Sequence, residues 1–313
     1  MLKGIFVAVV IAFVLFSAQL FLKNPNLSLG SMLSPVAQPE EELDPVYPTW
    51  TPNTPQVGGI FDQRLVLSAQ SAASYDMSSG KMVFSKNINE KLPMASLTKI
   101  MTAFLALEEG ADKIYRVSKS AASVGENSMG VSEGEVFRLE ELLYGLLLPS
   151  GNDAAEVIAE GSYYGRNGFV DEMNIRAKQL GMNDTNFTNP SGLEGDGDQY
   201  STAVDLLKLT KLAMENQTFR KVVGTYEKEL PATKYHKYFY LYNDTNLLTS
   251  YPGVIGVKTG FTWEAGLCLI TYLEYNDRTI IAVLLNSQNR RQEMKDLLDY
   301  TLIELGETPP VHE

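Results

Sequence analysis

The sequence predicts an α/β protein in which one sheet is flanked by helices and a helical segment is inserted between its strands. Three observations lead to this fold class. A β-prone hairpin lies before residue 90, helical apolar spacing dominates between about residues 95 and 215, and strand-like runs follow Val254. Strands at both ends of the folded region, with helices between them, are expected to form an α/β sandwich.

The first predicted elements are a hairpin and a helix. The stretch AASYDMSSGKMVFSKN holds two short β-prone runs, and its turn is expected at Ser78 to Gly80. The stretch ASLTKIMTAFLAL predicts a helix that Pro93 introduces and Gly110 ends. This helix includes a lysine, Lys99, among apolar residues, and ammonium groups are rarely buried without a reason.

Helical apolar spacing then recurs four times, and the break between the first two segments reads PSGN. The segments are Leu139 to Leu148, Ala154 to Ala159, Gly168 to Leu180 and Ala203 to Glu215. Three strands follow in the runs VIGVKTG, GLCLITYLEY and TIIAVLLN, and Asn276-Asp277 is the expected turn between the last two. An amphipathic helix from Arg291 to Leu305 completes the series.

The N-terminus predicts export. Residues Gly4 to Leu22 carry no charge and are flanked by Lys3 and Lys23, which is about the length that crosses a bilayer as a helix. Phe16 fits poorly two positions before Ala18 in a cleavage site, so an uncleaved anchor over residues 1–23 is favoured over a removable signal peptide. This places the rest of the chain outside the cytoplasmic membrane.

Composition divides the remainder of the chain. Residues 24–58 are rich in Pro, Ser, Asn and Gly and include an acidic run, Glu40 to Glu42, which predicts a disordered tether. The folded domain is expected over residues 59–308, with a short tail at 309–313.

Charge and residue usage exclude several classes of function. The 26 basic and 38 acidic residues give a net charge of -12, which would repel a phosphate backbone, so no nucleic-acid partner is expected. Cys268 is the only cysteine, which excludes an intramolecular disulfide and a thiolate metal cluster and favours a core role. His236 is the only histidine before the tail, and no GxSxG motif accompanies it, so a Ser-His-Asp hydrolase is disfavoured. No metal or cofactor is expected.

A nucleophile and its base can be recognised on the first helix. Residues three apart share a helix face, so the Ser96 hydroxyl and the Lys99 amine can lie within hydrogen-bond reach. Burial disfavours the charged amine, and a second cation nearby would lower its pKa further. A neutral Lys99 could then take the proton of Ser96, whose hydroxyl alone is a weak nucleophile.

The Ser-x-x-Lys spacing alone is weak evidence, because Ser78 and Lys81 repeat it in the hairpin. Two further motifs strengthen it. Ser150 and Asn152 lie in the break between two apolar helices, and Lys258-Thr259-Gly260 lies on a strand. Each has an ordinary structural interpretation by itself, a helix cap or a strand end. The order Ser-x-x-Lys, Ser-x-Asn, Lys-Thr-Gly, each in a fitting setting, is far more specific.

With these motifs the sequence resembles the low-molecular-mass penicillin-binding proteins that act as serine-type D-alanyl-D-alanine carboxypeptidases. The resemblance runs from about Ser68 to Leu305 and is carried by PMASLTKIMTAFLALE, LEELLYGLLLPSGNDAAEVIAE, NPSGLEGDGDQYSTAVDLLKL and YPGVIGVKTGFTWEAGLCLI. It implies the penicillin-binding-protein and β-lactamase-like fold, an antiparallel sheet flanked by helices with an all-helical subdomain. It also implies peptidoglycan stem peptides ending in D-Ala-D-Ala as substrates, and β-lactams as inhibitors.

Site roles follow from this resemblance residue by residue. Ser96 would be the acylated nucleophile, Lys99 its base, and Ser150 a proton relay to the leaving D-alanine. Asn152 would hold the peptide amide, while Lys258 and Thr259 would bind the substrate carboxylate. Gly260 would let the substrate approach the strand closely. The backbone N–H groups of Ser96 and Phe261 would form the oxyanion hole.

Some positions depart from the family pattern. Gly151 replaces the Asp of β-lactamases, Ser191 stands where relatives often carry His, and Ile255 stands where they often carry Asp. Many relatives also have a C-terminal β domain with an amphipathic membrane helix, and we expect the N-terminal anchor to serve instead. A class A-like β-lactamase and a non-catalytic wall-binding module remain alternatives. The first lacks a Glu-x-x-Leu-Asn loop between Asn152 and Lys258, and the second is disfavoured because no catalytic residue is missing.

Overall fold

The structure, a computed structural model, describes residues 50, 52, 65–245 and 247–312. The predicted anchor over residues 1–23 and nearly all of the predicted tether lie outside these residues. Among the residues that are described, no helix has the length and apolarity needed to cross a bilayer.

A five-stranded sheet forms the centre of the domain, with the strand order β2-β1-β9-β8-β7 and antiparallel pairing throughout. Its strands are β1 (Ser71–Asp76), β2 (Lys81–Lys86), β7 (Val254–Thr262), β8 (Gly266–Tyr275) and β9 (Arg278–Ser287). The prediction of one sheet built from both ends of the folded region is confirmed. Strand β7 lies at an edge, which leaves one of its sides available to a ligand.

Both faces of the sheet are covered, as the middle strand shows. Along β9, Ile281 and Val283 belong to one apolar cluster, whereas Ile280 and Ala282 belong to a second cluster on the opposite face. Successive side chains of a strand point to opposite faces, so a strand that is buried on both sides reads as a continuous apolar run. The run TIIAVLLN has this composition for that reason.

Eight helices surround the sheet in the described part of the chain. They are α1 (Lys99–Glu109), α2 (Leu139–Leu147), α3 (Asn152–Glu160), α4 (Gly165–Gln179), α5 (Ala203–Glu215), α6 (Gln217–Val223), α7 (Leu247–Ser250) and α8 (Arg290–Glu304). The longer helices after α1 begin and end within three residues of their predicted bounds, whereas α1 begins four residues after Ala95 because a 3-10 turn forms the start of the predicted helix. Helix α8 packs on one face of the sheet through Met294, Leu297 and Leu298, and the inserted helices contribute to the cluster on the other face.

Two small ribbons were not predicted. Strands β3 (Ile114–Arg116) and β4 (Val136–Arg138) pair with each other, as do β5 (Glu227–Leu230) and β6 (Phe239–Tyr242). Strands of three or four residues are too short to establish a clear alternation. Tertiary burial stabilises them instead: Tyr115 and Phe137 are each only 1% exposed.

Two residues discussed in the sequence analysis, a cysteine and a histidine, take definite positions. Cys268 is fully buried in the sheet, as expected of a core residue. His236 stacks on Phe137, with ring centroids 4.8 Å apart, and its Nε2 lies 3.4 Å from Glu141. It therefore has a structural environment away from the three motifs.

Both terminal segments contact the domain at individual residues. Trp50, inside the predicted tether, packs edge-to-face on Tyr75 at a centroid distance of 5.0 Å. At this residue the chain departs from a free tether, because a large apolar ring is more stable against the core than in water. His312, in the predicted tail, lies 2.9 Å from Asp299 and stacks on Tyr251.

Candidate active site

Ser96 lies on a tight helical turn that leads into α1. The turn is a 3-10 helix over Ala95–Thr98, and Lys99 is the first residue of the α-helix. The Lys99 Nζ lies 2.9 Å from the Ser96 Oγ. The spacing of three residues therefore brings the hydroxyl and the amine together, although the serine lies in the 3-10 turn, three residues before the first residue of the α-helix.

The surroundings of Lys99 favour a neutral amine. Its side chain is fully buried, and its Nζ donates to Asn152 Oδ1 at 2.7 Å and to the Ser191 carbonyl oxygen at 2.6 Å. Burial lowers the pKa of Lys99 well below its usual value, and the Lys258 cation lowers it further, against opposing effects of Asp153 and Glu126. A neutral amine has two hydrogens, which these two carbonyl oxygens accept, so its lone pair can face Ser96.

Ser150 and Asn152 lie where the chain turns sharply between α2 and α3. Ser150 has φ of +62°, an uncommon conformation for a residue with a side chain, and its buried Oγ has no hydrogen-bond partner among the described residues. Gly151 has no room for a side chain, because a Cβ there would lie 2.6 Å from the Gly145 carbonyl oxygen. This contact explains the departure from the β-lactamase motif.

Asp153 fixes a loop beside the cleft. Its buried carboxylate accepts hydrogen bonds from the Ser128 hydroxyl and from the backbone N–H groups of Met129, Gly130 and Val131. Asn152 makes two hydrogen bonds to the same loop. Its backbone N–H donates to the Asn127 carbonyl oxygen, and its Nδ2 donates to the Gly125 carbonyl oxygen. Asn152 is thereby oriented from three sides.

The Lys-Thr-Gly motif lies on the edge strand β7, beside the Ser96 turn. Lys258 is 1% exposed, and burial lowers its pKa to about 7, with Asp244 opposing the shift and Arg290 adding to it. Its Nζ donates to the Thr259 carbonyl oxygen at 2.9 Å. A Cβ on Gly260 would lie 3.0 Å from the Met94 carbonyl oxygen and 3.3 Å from the Ser96 nitrogen, so glycine allows this close approach.

The loop after α4 contributes residues whose positions the sequence did not predict. Gly192 has φ of +86°, and a Cβ there would lie 2.1 Å from the Ala95 carbonyl oxygen. The Ser191 side chain bonds to Asn189, and its carbonyl oxygen accepts from Lys99. The residue type at 191 therefore does not decide the contact with the amine.

A cleft joins these motifs and contains charged residues that sequence reasoning missed. Its lining includes predicted site residues together with Glu126, Asn127, Asp244 and Arg290. Arg290 Nη1 donates to the Gly260 carbonyl oxygen at 2.6 Å. Arg290 is the first residue of α8, three residues after β9, and a basic residue at that position does not locate the cleft from the sequence.

The sequence matches the peptidase S11 family, described as D-alanyl-D-alanine carboxypeptidase, over residues 61–289. It is 37% identical over 265 residues to the D-alanyl-D-alanine carboxypeptidase DacF of Bacillus subtilis, a match that covers 82% of this chain and 67% of DacF. It is 33% identical to a D-alanyl-D-alanine carboxypeptidase of a Streptomyces species, over 71% of this chain and 82% of the relative.

Solved structures agree with the sequence comparison. The crystal structure of a Streptomyces DD-transpeptidase superposes with a TM-score of 0.72 at 30% identity, covering 76% of this chain and 98% of that one. The D-alanyl-D-alanine carboxypeptidase DacD of Francisella tularensis superposes with a TM-score of 0.69 at 28% identity, covering 79% and 73%. The fold that the sequence resemblance implied is confirmed, and the chain belongs to the peptidase S11 family of serine D-alanyl-D-alanine carboxypeptidases.

Proposed function

We propose that this protein removes the terminal D-alanine from peptidoglycan stem pentapeptides through an acyl-enzyme on Ser96. The observation that carries this assignment is the 2.9 Å distance between Ser96 Oγ and a buried Lys99 amine whose pKa is lowered. A serine needs such an adjacent base to act as a nucleophile at neutral pH. Membership of the S11 family supports the same reaction.

Acylation begins when Ser96 Oγ attacks the carbonyl carbon of the penultimate D-alanine and its proton passes to the neutral Lys99 amine. The backbone N–H groups of Ser96 and Phe261 stabilise the oxyanion, and each such donor contributes about 3 kcal/mol in other acyl-transfer enzymes. The C–N bond then breaks. The proton moves from Lys99 through the Ser150 hydroxyl to the amine of the leaving D-alanine, which explains why the Ser150 Oγ is available in the cleft.

Deacylation reverses the roles of the same groups. A water molecule attacks the ester carbonyl carbon and gives its proton to Lys99. The bond to Ser96 Oγ breaks, the serine recovers its hydrogen, and the shortened peptide leaves as a carboxylic acid. One base thus serves both half-reactions.

Substrate binding uses the edge strand and the cations beside it. A peptide laid along β7 gains main-chain hydrogen bonds, and Asn152 holds its amide. The terminal carboxylate lies near Lys258 and the Thr259 hydroxyl. Arg290 adds positive charge at the same end of the cleft, because its guanidinium bonds to Gly260.

Penicillin labelling tests the nucleophile. β-Lactams mimic D-Ala-D-Ala and acylate the same serine, but their leaving group stays tethered. We expect intact-mass spectrometry to show one adduct, mapped to the peptide that contains Ser96. Ser78→Ala is a matched control, because Ser78 belongs to the second Ser-x-x-Lys pair, in the β1-β2 turn. Labelling that survives Ser96→Ala would overturn the assignment.

The β-lactamase alternative predicts a different time course. A carboxypeptidase keeps the penicilloyl adduct because deacylation is slow, whereas a β-lactamase releases it and hydrolyses penicillin in excess. The relatives described above are named carboxypeptidases or transpeptidases, which supports the first. A relative from Pseudomonas aeruginosa at 30% identity is named an endopeptidase, so cross-linked muropeptides should be assayed beside pentapeptides.

We also propose that residues 1–23 anchor the protein in the cytoplasmic membrane, that residues 24–58 form a tether, and that the domain over 59–308 acts on the outer side. The uncharged run from Gly4 to Leu22 supports the anchor. Fractionation of cells and sequencing of the mature N-terminus test it. A soluble species beginning near residues 19–30 would show cleavage instead, and the catalytic assignment would be unaffected.

A further inference from the structure

The ribbon formed by β5 and β6 carries an exposed aromatic surface that the proposed mechanism does not use. We call it the tyrosine face: the side chains of Tyr226, Tyr238, Tyr240 and Tyr242 and the carboxylates of Glu227 and Glu229. Each of the four rings is between 40% and 50% exposed. Along β6 the burial alternates, with Phe239 and Leu241 inward and Tyr240 and Tyr242 outward.

The rings are ordered by contacts with one another and with the carboxylates. Tyr242 packs edge-to-face against Tyr240 at 4.7 Å and against Tyr226 at 6.2 Å between centroids. The Tyr240 hydroxyl donates to Glu227 at 2.7 Å. Burial and the neighbouring Glu229 carboxylate raise the pKa of Tyr238. Ordered aromatic rings with neighbouring acceptors lose little conformational freedom on binding, which suits a recognition surface.

The charges on this face narrow the choice of ligand. The charged groups between the rings are Glu227 and Glu229, whereas Lys228 directs its ammonium to Tyr144 and Lys237 to Ser132. An acidic face repels an anionic lipid surface and disfavours pairing with a second copy of itself. A neutral saccharide fits, because its C–H faces can pack on the rings and its hydroxyl and amide groups can donate to the carboxylates.

A short stretch of chain connects the tyrosine face to the catalytic cleft. Strand β6 ends at Tyr242, and Asp244, two residues later, lines the cleft. The backbone N–H of Asp244 donates to Leu148, shortly before Ser150, and the Asn243 amide donates to Val223 and Thr225. Tyr240 is four residues from Asp244, which is at most about 14 Å of extended chain. The peptide between the scissile bond and the sugar has a similar reach, also about 14 Å.

We propose that the tyrosine face binds the glycan strand of peptidoglycan, an uncharged chain of N-acetylated amino sugars, while its stem peptide occupies the cleft. This inference rests on the proposed function, since it concerns the substrate of the same site. In this role the ribbon makes the enzyme favour stem peptides carried on a glycan strand over free peptides.

The experiment compares two substrates with the full-length chain: a free stem pentapeptide, and the same pentapeptide carried on uncross-linked glycan strands. The test variant is Tyr240→Ala with Tyr242→Ala, and the control is Tyr163→Ala, a ring 75% exposed elsewhere on the surface. We expect kcat/KM for D-alanine release from the glycan-borne substrate to fall about tenfold through KM, given the typical contribution of one or two aromatic contacts. Release from the free pentapeptide and the rate of penicillin acylation should stay within about twofold of wild type.

The possible outcomes are distinguishable. If the double variant loses the same factor on both substrates, or none on either, the glycan assignment is wrong. Loss of a concentration-dependent dimer, or loss of a preference for anionic over neutral lipid vesicles, with an unchanged substrate ratio would overturn it in favour of those partners. Wild type that forms no penicillin adduct and releases no D-alanine from either substrate would instead refute the proposed function. Retention of binding by Tyr240→Phe would show that the ring carries the effect.

Discussion

At the scale of single residues, the site depends on two amines whose pKa values are lowered by burial. Lys99 and Lys258 lie on different elements, yet both side chains are buried, and the charge of Lys258 lowers the pKa of Lys99. Lys258, with a pKa of about 7, is cationic at acidic pH and loses its charge as the pH rises through neutrality. In the proposed mechanism the two lysines have different roles: Lys99 supplies the base, and Lys258 supplies a positive charge.

The first prediction concerns Lys258→Ala. Removing the cation lets the pKa of Lys99 rise, so the ascending limb of the pH profile of kcat/KM should move to higher pH. Loss of a charged hydrogen bond should also reduce kcat/KM about tenfold or more for peptides ending in a carboxylate, and less for small esters without one. Steady-state rates for both substrate types across pH measure this. An unchanged profile with an unchanged substrate preference would assign Lys258 a packing role alone.

At the scale of elements, three chain segments form the cleft because their backbones approach unusually closely. The Ser96 turn is held between β7, at Gly260, and the loop at Gly192. A Cβ at Gly192 would collide with the Ala95 carbonyl oxygen, and a Cβ at Gly260 would be crowded against Met94 and the Ser96 nitrogen. Helix α3 adds Asn152 from a third direction. A shift in the loop is thus expected to displace the nucleophile although the loop is distant in sequence.

The second prediction uses two glycines of that loop, which both have positive φ. In Gly192→Ala the new Cβ meets the Ala95 carbonyl oxygen, whereas at Gly195 no atom lies within 4 Å of the new Cβ. Both variants carry the backbone strain of an alanine at positive φ, about 1 to 3 kcal/mol. Only Gly192→Ala should slow penicillin acylation, by about 100-fold for a displacement near 1 Å. Stopped-flow measurement of the acylation rates of the two variants tests this expectation, and equal rates would contradict the steric explanation.

At the scale of the whole molecule, the catalytic arrangement opposes stability. The sheet is covered on both faces, and its large apolar core stabilises the fold. This stability offsets the cost of a cleft in which Lys258 is buried beside Lys99 and Arg290. Because the pKa of Lys258 falls from 10.5 to about 7 on folding, the unfolded chain binds more protons between these values. The free energy of unfolding should therefore rise with pH across this window, and the destabilising effect is complete below about pH 7.

The third prediction follows from this linkage. Lys258→Met keeps the apolar volume and removes the titration, so its free energy of unfolding should rise less than that of wild type between pH 7 and 9.5. The expected difference is about 1 to 3 kcal/mol. Urea unfolding at the two pH values measures it, and the groups that do not interact with Lys258 cancel between the two proteins. Parallel pH dependence would show that Lys258 titrates normally in the folded protein.

The sequence by itself determined the elements that have enough length or local chemistry to be read. The long helices and the strands β7 to β9 have clear apolar patterns, and the spacing of Ser96 and Lys99 places both groups on one helical turn. Three ordered motifs then specify the reaction class, because unrelated turns rarely supply all three together.

Only the tertiary structure decided the contacts between distant segments. Lys99 donates to the Ser191 carbonyl oxygen although the two residues are 92 positions apart in the chain. Arg290 donates to the Gly260 carbonyl oxygen across 30 positions. A carbonyl group carries no residue-specific signal, and the short strands of the tyrosine face have too few residues to show a period. These features arise from the packing of backbones against one another, which local sequence patterns do not encode.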